Sequence, residues 1–274
     1  MLKNGLLISA LIIVMCCFSC SSYNKLLKSS DYVAKYNAAI SYYEKGNYDR
    51  ALQLFDLLQV QYRGKPEGDT ISFLTAECYY YKEDFLIASH YYKRYVSNYA
   101  FSDRAEDALY KSAMCYYYLS PKISLDQSDT YTAISEFQTF TDMYPKSLKV
   151  PEANAKIDTL RMKIENKDYN TCLLYFKMEE FQAAITTFES FLKEYPSTSH
   201  REEILYFMVI NYYNYAENSV TSKQRERYEL ALEKYNTLCY VFPESPYIKE
   251  LTSIVDKINL KLNKHKQIYL DDRF

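Results

Sequence analysis

The side chains able to do chemistry in this 274-residue sequence are sparse and scattered. His90, His200 and His265 stand isolated, so no metal site can be read from them. There is no Ser/His/Asp or Cys/His set, no phosphate-cradling glycine loop and no HExxH. Carboxylates are plentiful, but no pair can be chosen as acid and base without a cleft. The sequence therefore offers no catalytic residue, no metal and no cofactor, and it reads as a non-enzyme. Two residue types remain. One is cysteine, with seven copies; the other is tyrosine, with 32 copies and no tryptophan beside it. A tyrosine has an apolar ring and a polar tip, which suits both packing between helices and contact with a ligand. The chemistry on offer is thiol modification and recognition.

The thiol that stands out is Cys20. Met1-Leu2-Lys3 is a short basic start, and Leu6 to Phe18 is an apolar run of 13 residues, too short to span a bilayer. Next comes Ser19-Cys20-Ser21-Ser22, a small residue and then a cysteine. This resembles a bacterial lipoprotein signal, with residues 1–19 removed and the Cys20 thiol acylated. Cys17 stands where such signals usually carry Leu. Acylation would tether the protein to a membrane leaflet without a transmembrane helix. Residues 20–29 then form a short lipidated link to the remainder of the chain.

From Tyr36 onward the chain is repetitive. Ala39, Tyr42 and Tyr43 fall at helical spacing before Gly46-Asn47; Tyr48, Ala51, Phe55 and Leu58 share one face after it. Gly46 suits the left-handed position after a helix, and Asn47 can cap the next one. Thirty-seven residues on, Phe73, Ala76, Tyr79 and Tyr80 repeat Tyr36, Ala39, Tyr42 and Tyr43. Another 37 gives Tyr110, Ala113, Tyr116 and Tyr117. Second helices recur with Ala88, Ala133, Ala184 and Ala231, the last three ending in Tyr144-Pro145, Tyr195-Pro196 and Phe242-Pro243. Helix pairs at such a period predict an all-α solenoid. The small residue and Tyr on the first helix, with G-x-Y-x-x-A-x-x-x-F on the second, resemble tetratricopeptide repeats. The expected domain is a tetratricopeptide-like array over 30–265. It holds about five helix hairpins and a C-terminal capping helix, with a frayed tail at 266–274.

In chain order, first-repeat helices are expected to about Lys45 and over 48–62, then a loop from Arg63 to Asp69. Further helices are expected at about 70–82, 85–98 and 103–119, with an insertion at 120–129 and a helix at 130–144. From Pro151 to Lys177 there is no breaker, which predicts one helix roughly 40 Å long and a joint between front and rear halves. Helices at 180–194, 200–217 and 223–240 precede the last one, from Ser245-Pro246 to about Lys264. Cys78 and Cys115 occupy equivalent positions in successive repeats, too far apart for a disulfide; these two, Cys172 and Cys239 are read as free thiols. A net charge of −2 gives no nucleic-acid surface.

In tetratricopeptide arrays the first helices line the concave face. By register, Tyr36, Tyr43, Phe73, Tyr80, Tyr81, Tyr110, Tyr117 and Tyr118 should project there or border it, a ladder suited to an extended apolar or aromatic peptide. The wider chain is similar to the BamD family, lipoprotein subunits of the outer-membrane β-barrel assembly machinery, in its Bacteroidetes form. The stretches that carry this are Cys20-Ser-Ser-Tyr-Asn-Lys-Leu-Leu-Lys28, Tyr43-Glu-Lys-Gly-Asn-Tyr48, Asp107-Ala-Leu-Tyr110, Ser120-Pro-Lys with Leu125-Asp-Gln-Ser-Asp-Thr130, and Ala216-Glu-Asn-Ser219. The resemblance implies an outer-membrane lipoprotein facing the periplasm. It implies rear repeats docked on the POTRA domains of a BamA-like barrel subunit, and front repeats engaging unfolded outer-membrane β-barrel proteins. Two other readings stay open: a SusD-like glycan-binding surface lipoprotein, and a periplasmic repeat adaptor of envelope or peptidoglycan machinery.

Overall fold

A computed structural model describes residues 22–271, with side chains described through residue 263; Cys20 and the apolar run before it lie outside the described residues. Described residues include no strand. The order is α1 (22–28), α2 (Tyr32–Glu44), α3 (Tyr48–Gln61), α4 (Pro66–Tyr81), α5 (Phe85–Asn98), α6 (Ala105–Leu119), α7 (Ser128–Met143), α8 (Val150–Lys177), α9 (Phe181–Glu194), α10 (Arg201–Glu217), α11 (Thr221–Val241) and α12 (Pro246–Asp271). These are five helix pairs, α2/α3 through α10/α11, with α12 packed after them. The fold is an all-α, tetratricopeptide-like solenoid.

The repeated alanines are the reason the pairs close. Ala39 and Ala51, Ala76 and Ala88, and Ala113 and Ala133 of the first three pairs are all fully buried, as are Ala184 of α9 and Ala231 of α11. A methyl at such a position lets two backbones approach, and larger residues fill the space on either side. Phe55, Tyr92, Phe137, Phe188 and Tyr228 are such residues, each with no exposed surface.

The turn between the helices of a pair is equally regular. Asn47 N–H donates to the Tyr42 carbonyl at 2.8 Å and Gly46 N–H to Tyr43 at 2.9 Å, the two bonds of a Schellman turn. The same two bonds recur at Asp84 and Glu83, and again at Glu180 and Glu179. Gly46 has φ 72°, as its place requires. Glu83 and Glu179 occupy that place with φ 62° and 57°, although they carry a Cβ. At the far end of the second to fifth pairs another turn recurs. The backbone N–H groups of Ser102, Ser147, Thr198 and Ser245 donate to the carbonyls of Tyr99, Tyr144, Tyr195 and Phe242. Their hydroxyls then accept from the N–H two residues on, opening the next helix.

The chain divides into two compact units, 1–161 and 162–274. The boundary falls inside α8, the long helix expected to act as a joint. In the first unit, three apolar clusters centre on Phe55, Tyr92 and Phe137. In the second, a large cluster around Phe188 and Tyr228 is joined by a smaller one where Leu205 and Leu238 meet Leu251 of α12.

Three expectations change. The link after Cys20 is helical over 22–28. Tyr23, Leu26 and Leu27 form an apolar face at i, i+3 and i+4 that packs on the first hairpin. Helix α4 begins at Pro66, inside the stretch read as a loop, because proline suits a first helical turn. Gly68 is required there, since a Cβ would lie 2.4 Å from the Tyr62 carbonyl oxygen. Helix α12 runs on to Asp271, through most of the stretch read as a tail.

Because Glu83 and Glu179 hold a conformation that disfavours any Cβ, Glu83→Gly and Glu179→Gly should each stabilise the protein by about 1 kcal/mol. Urea unfolding of the single and double variants measures this; unchanged midpoints would show that the turns carry no strain.

Candidate recognition face

Helices α2, α4 and α6 of the first unit are the first helices of successive pairs, and their side chains are linked in series. Glu77 of α4 is 3% exposed, a carboxylate inside an apolar cluster. It is held from three sides. The Tyr92 hydroxyl of α5 donates to Oε1, Lys111 Nζ of α6 donates to Oε1 at 2.7 Å, and the Tyr43 hydroxyl of α2 reaches Oε2 at 3.4 Å. Lys111 also pairs with Asp107 at 3.4 Å, and Asp107 pairs with Lys149 just before α8. A charge-alternating line thus runs from Tyr43 to Lys149. Burial pushes the hydroxyls of Tyr43 and Tyr92 well above the ordinary tyrosine range, with Glu77 adding to it, so both remain protonated donors. Burial would lower the Lys111 ammonium, but the Glu77 hydrogen bond together with the charges of Glu77 and Asp107 outweighs it, and the net shift is upward.

The aromatic ladder divides on either side of this line. Phe73 and Tyr110 are buried, at 9% and 8% exposure. Phe73 meets Tyr92 and Tyr95 edge-on, and Tyr110 meets Phe137 and Phe140. Tyr36 is half-buried against Tyr62. These three serve the packing of their own repeats. Tyr43, Tyr80 and Tyr117 are half-buried. Tyr81 and Tyr118 are each 50% exposed. Tyr81 stacks on Tyr48 at 5.6 Å and Tyr118 on Phe85 at 4.8 Å. In both cases the last turn of one pair's first helix lies on the first residue of the preceding pair's second helix. Tyr80 contacts both Tyr81 and Tyr118, which joins the two stacks. The Lys156 ammonium lies 4.4 Å from the centre of the Tyr117 ring. The result is a continuous aromatic strip, half in and half out, flanked by a cation. It offers planar apolar surface and a few hydrogen-bonding tips.

Sequence reasoning missed Glu77, Lys111, Asp107 and Lys149. The signal was present: Tyr43, Glu77 and Lys111 fall 34 residues apart, the spacing that brings successive first helices together. Cys78 and Cys115 flank the line as buried free thiols, and burial pushes both up to about 12.

A scan against family models matches the outer membrane lipoprotein family YfiO over residues 29–227 and 175–269. The chain belongs to the YfiO family of outer membrane lipoproteins. Relatives carry the name outer membrane protein assembly factor BamD. The one from Caulobacter vibrioides is 24% identical over 177 residues, 65% of this chain and 58% of that protein. The one from Rickettsia prowazekii is 25% identical over 188 residues, 67% of this chain and 75% of that protein. This chain thus aligns with little more than half the length of the Caulobacter protein. Among solved structures, the tetratricopeptide domain of P58(IPK) is similar with a TM-score of 0.41 and 16% identity, over 88% of this chain and 68% of that one. As a YfiO family member the chain is an outer-membrane protein; no helix among the described residues is long and apolar enough to cross a membrane.

The charged line can be tested in two ways. Glu77→Gln leaves Lys111 without its buried counter-charge and should destabilise the protein by about 3 kcal/mol in urea unfolding. An effect below a few tenths of that would show that the line is solvated. Asp107 tests the same line by pH. Burial alone would raise its carboxyl, but the Lys149 and Lys111 ammoniums outweigh it and hold it below the usual carboxylate range. A depressed folded value contributes stability above the unfolded value of about 3.9, lost as pH falls through the folded value. Asp107→Asn should therefore be less stable than wild type at pH 7, and the gap should close below about pH 4. A gap independent of pH would rule out the ion pair as its cause.

Proposed function

We propose that this chain is a non-enzymatic lipoprotein subunit of the outer-membrane β-barrel assembly machinery. In this reading Cys20 is acylated, the repeats face the periplasm, and the rear repeats dock on the POTRA domains of a BamA-like barrel subunit. The front repeats hold unfolded β-barrel clients before insertion. The observation that carries the reading is the family match over most of the chain, together with relatives named as assembly factors. The aromatic strip of the first unit supports the client role. An unfolded outer-membrane strand alternates apolar and aromatic residues with polar ones, and rigid rings give such a segment contact area at little entropic cost.

Tyr81 and Tyr118 are the residues best suited to bind, because half of each ring is free while Tyr43, Tyr80 and Tyr117 are committed to packing. In a mild-detergent pull-down through a C-terminal tag, a POTRA-bearing barrel protein should accompany this chain at near-stoichiometric amount. A TonB-dependent transporter in its place would overturn the reading in favour of glycan uptake. The Tyr81→Ala/Tyr118→Ala double variant should keep the barrel partner and lose at least about tenfold in affinity for an aromatic-ended barrel-strand peptide. Unchanged peptide affinity in the folded variant would remove the strip from client binding.

A further inference from the structure

A cavity of about 590 Å³ opens elsewhere in the first unit, where α3, α4 and α5 meet. Two arginines face it, Arg63 from the α3–α4 turn and Arg94 from α5, with Gln59, Ser72 and Asn98. No carboxylate is among the lining residues, and Arg63 has no ion-pair partner among the described residues. Gln59 holds one of the arginines in place, its Oε1 accepting from Arg94 Nη2 at 2.9 Å. The cavity therefore brings together two solvent-exposed guanidinium groups, with a hydroxyl and amides at the wall and no anion to balance them.

We propose that this cavity binds a phosphate group. Two guanidiniums match the charge of a phosphate, and guanidinium forks meet its oxygens pairwise. Asn98 and Ser72 add donors at the wall for the further oxygens that a phosphate has and a carboxylate lacks. Two sources share this chemistry: the headgroup of a phospholipid, and a soluble phosphate ester. Val60, 86% exposed on the cavity wall, gives an acyl chain an apolar surface beside the headgroup. The site lies apart from the aromatic strip, so it stands or falls independently of the client reading.

The test uses the full chain in micelles of an uncharged detergent. Inorganic phosphate, glycerol 1-phosphate and monomeric dihexanoyl phosphatidylglycerol are titrated by calorimetry against chloride at matched ionic strength. At least one should bind saturably at one site, and Arg63→Gln or Arg94→Gln should weaken it about tenfold or more. Arg63 makes no described hydrogen bond or ion pair, so its variant controls for folding. Tighter binding of phosphatidylglycerol than of glycerol 1-phosphate identifies a lipid headgroup, and the reverse order a soluble ester. Absence of saturable binding by all three probes, or binding that neither arginine variant weakens, overturns the proposal.

Discussion

The structure depends on a steric constraint: two helices close tightly where a small side chain stands between them. Eight alanines at repeat positions are buried completely, one on each helix of the first three pairs and one each on α9 and α11. Once the backbones are that near, no bulky residue fits at the crossing, and the rings are displaced to its margins. There they meet the rings of the neighbouring pair. Tyr48 with Tyr81, Phe85 with Tyr118 and, in the second unit, Phe181 with Tyr215 are one contact repeated. The aromatic strip of the first unit is thus a by-product of tight hairpins, and its outer rings stay half-exposed because they lie at that edge.

Against this apolar frame, Glu77 is the exception that needs explanation. A carboxylate moved out of water loses several kcal/mol of solvation, and attraction to one partner rarely offsets it. Glu77 has an ammonium and two phenol hydroxyls, enough to satisfy both oxygens. Such a site adds little net stability compared with a well-packed leucine. Its effect is on register: three helices must present Tyr43, Tyr92 and Lys111 at one point, and a hairpin slipped by one turn leaves the charge bare.

Much of this was legible in the sequence, for physical reasons. Ala at a fixed period, Gly46-Asn47 at a helix end and Pro151 ahead of a breaker-free stretch each have one cheap conformation, and α8 ends at Lys177 as its composition requires. The ladder was only half legible. Tyr80 and Tyr81, or Tyr117 and Tyr118, are neighbours in sequence but lie about 100° apart around the helix, so one packs while the other faces water. Register names both and cannot say which. Glu77 and Lys111 were missed because a lone charge on a helix normally reads as a solvated face. Helix α1 was missed because a three-residue apolar face gains its stability from the hairpin beneath it, which local pattern does not show.

The acid–tyrosine pairs have a consequence for how such an array can change over generations. Beyond Glu77, Asp69 takes Tyr95, Glu203 takes Tyr169, Asp168 takes Tyr195 and Glu217 takes Tyr228, each pairing its own two positions. Solenoids built from interchangeable units lengthen by copying one unit. Here a copied hairpin would bring its internal pairs with it, but Tyr43–Glu77 and Tyr169–Glu203 join one hairpin to the next, and a copy inserted between them would leave a phenol or an acid without its partner. The hydroxyls of Tyr43 and Tyr169 act as addresses for the neighbouring place in the row. An array addressed in this way diverges by substitution within a fixed number of hairpins, which accounts for repeats alike in outline yet different in length, turn and insertion.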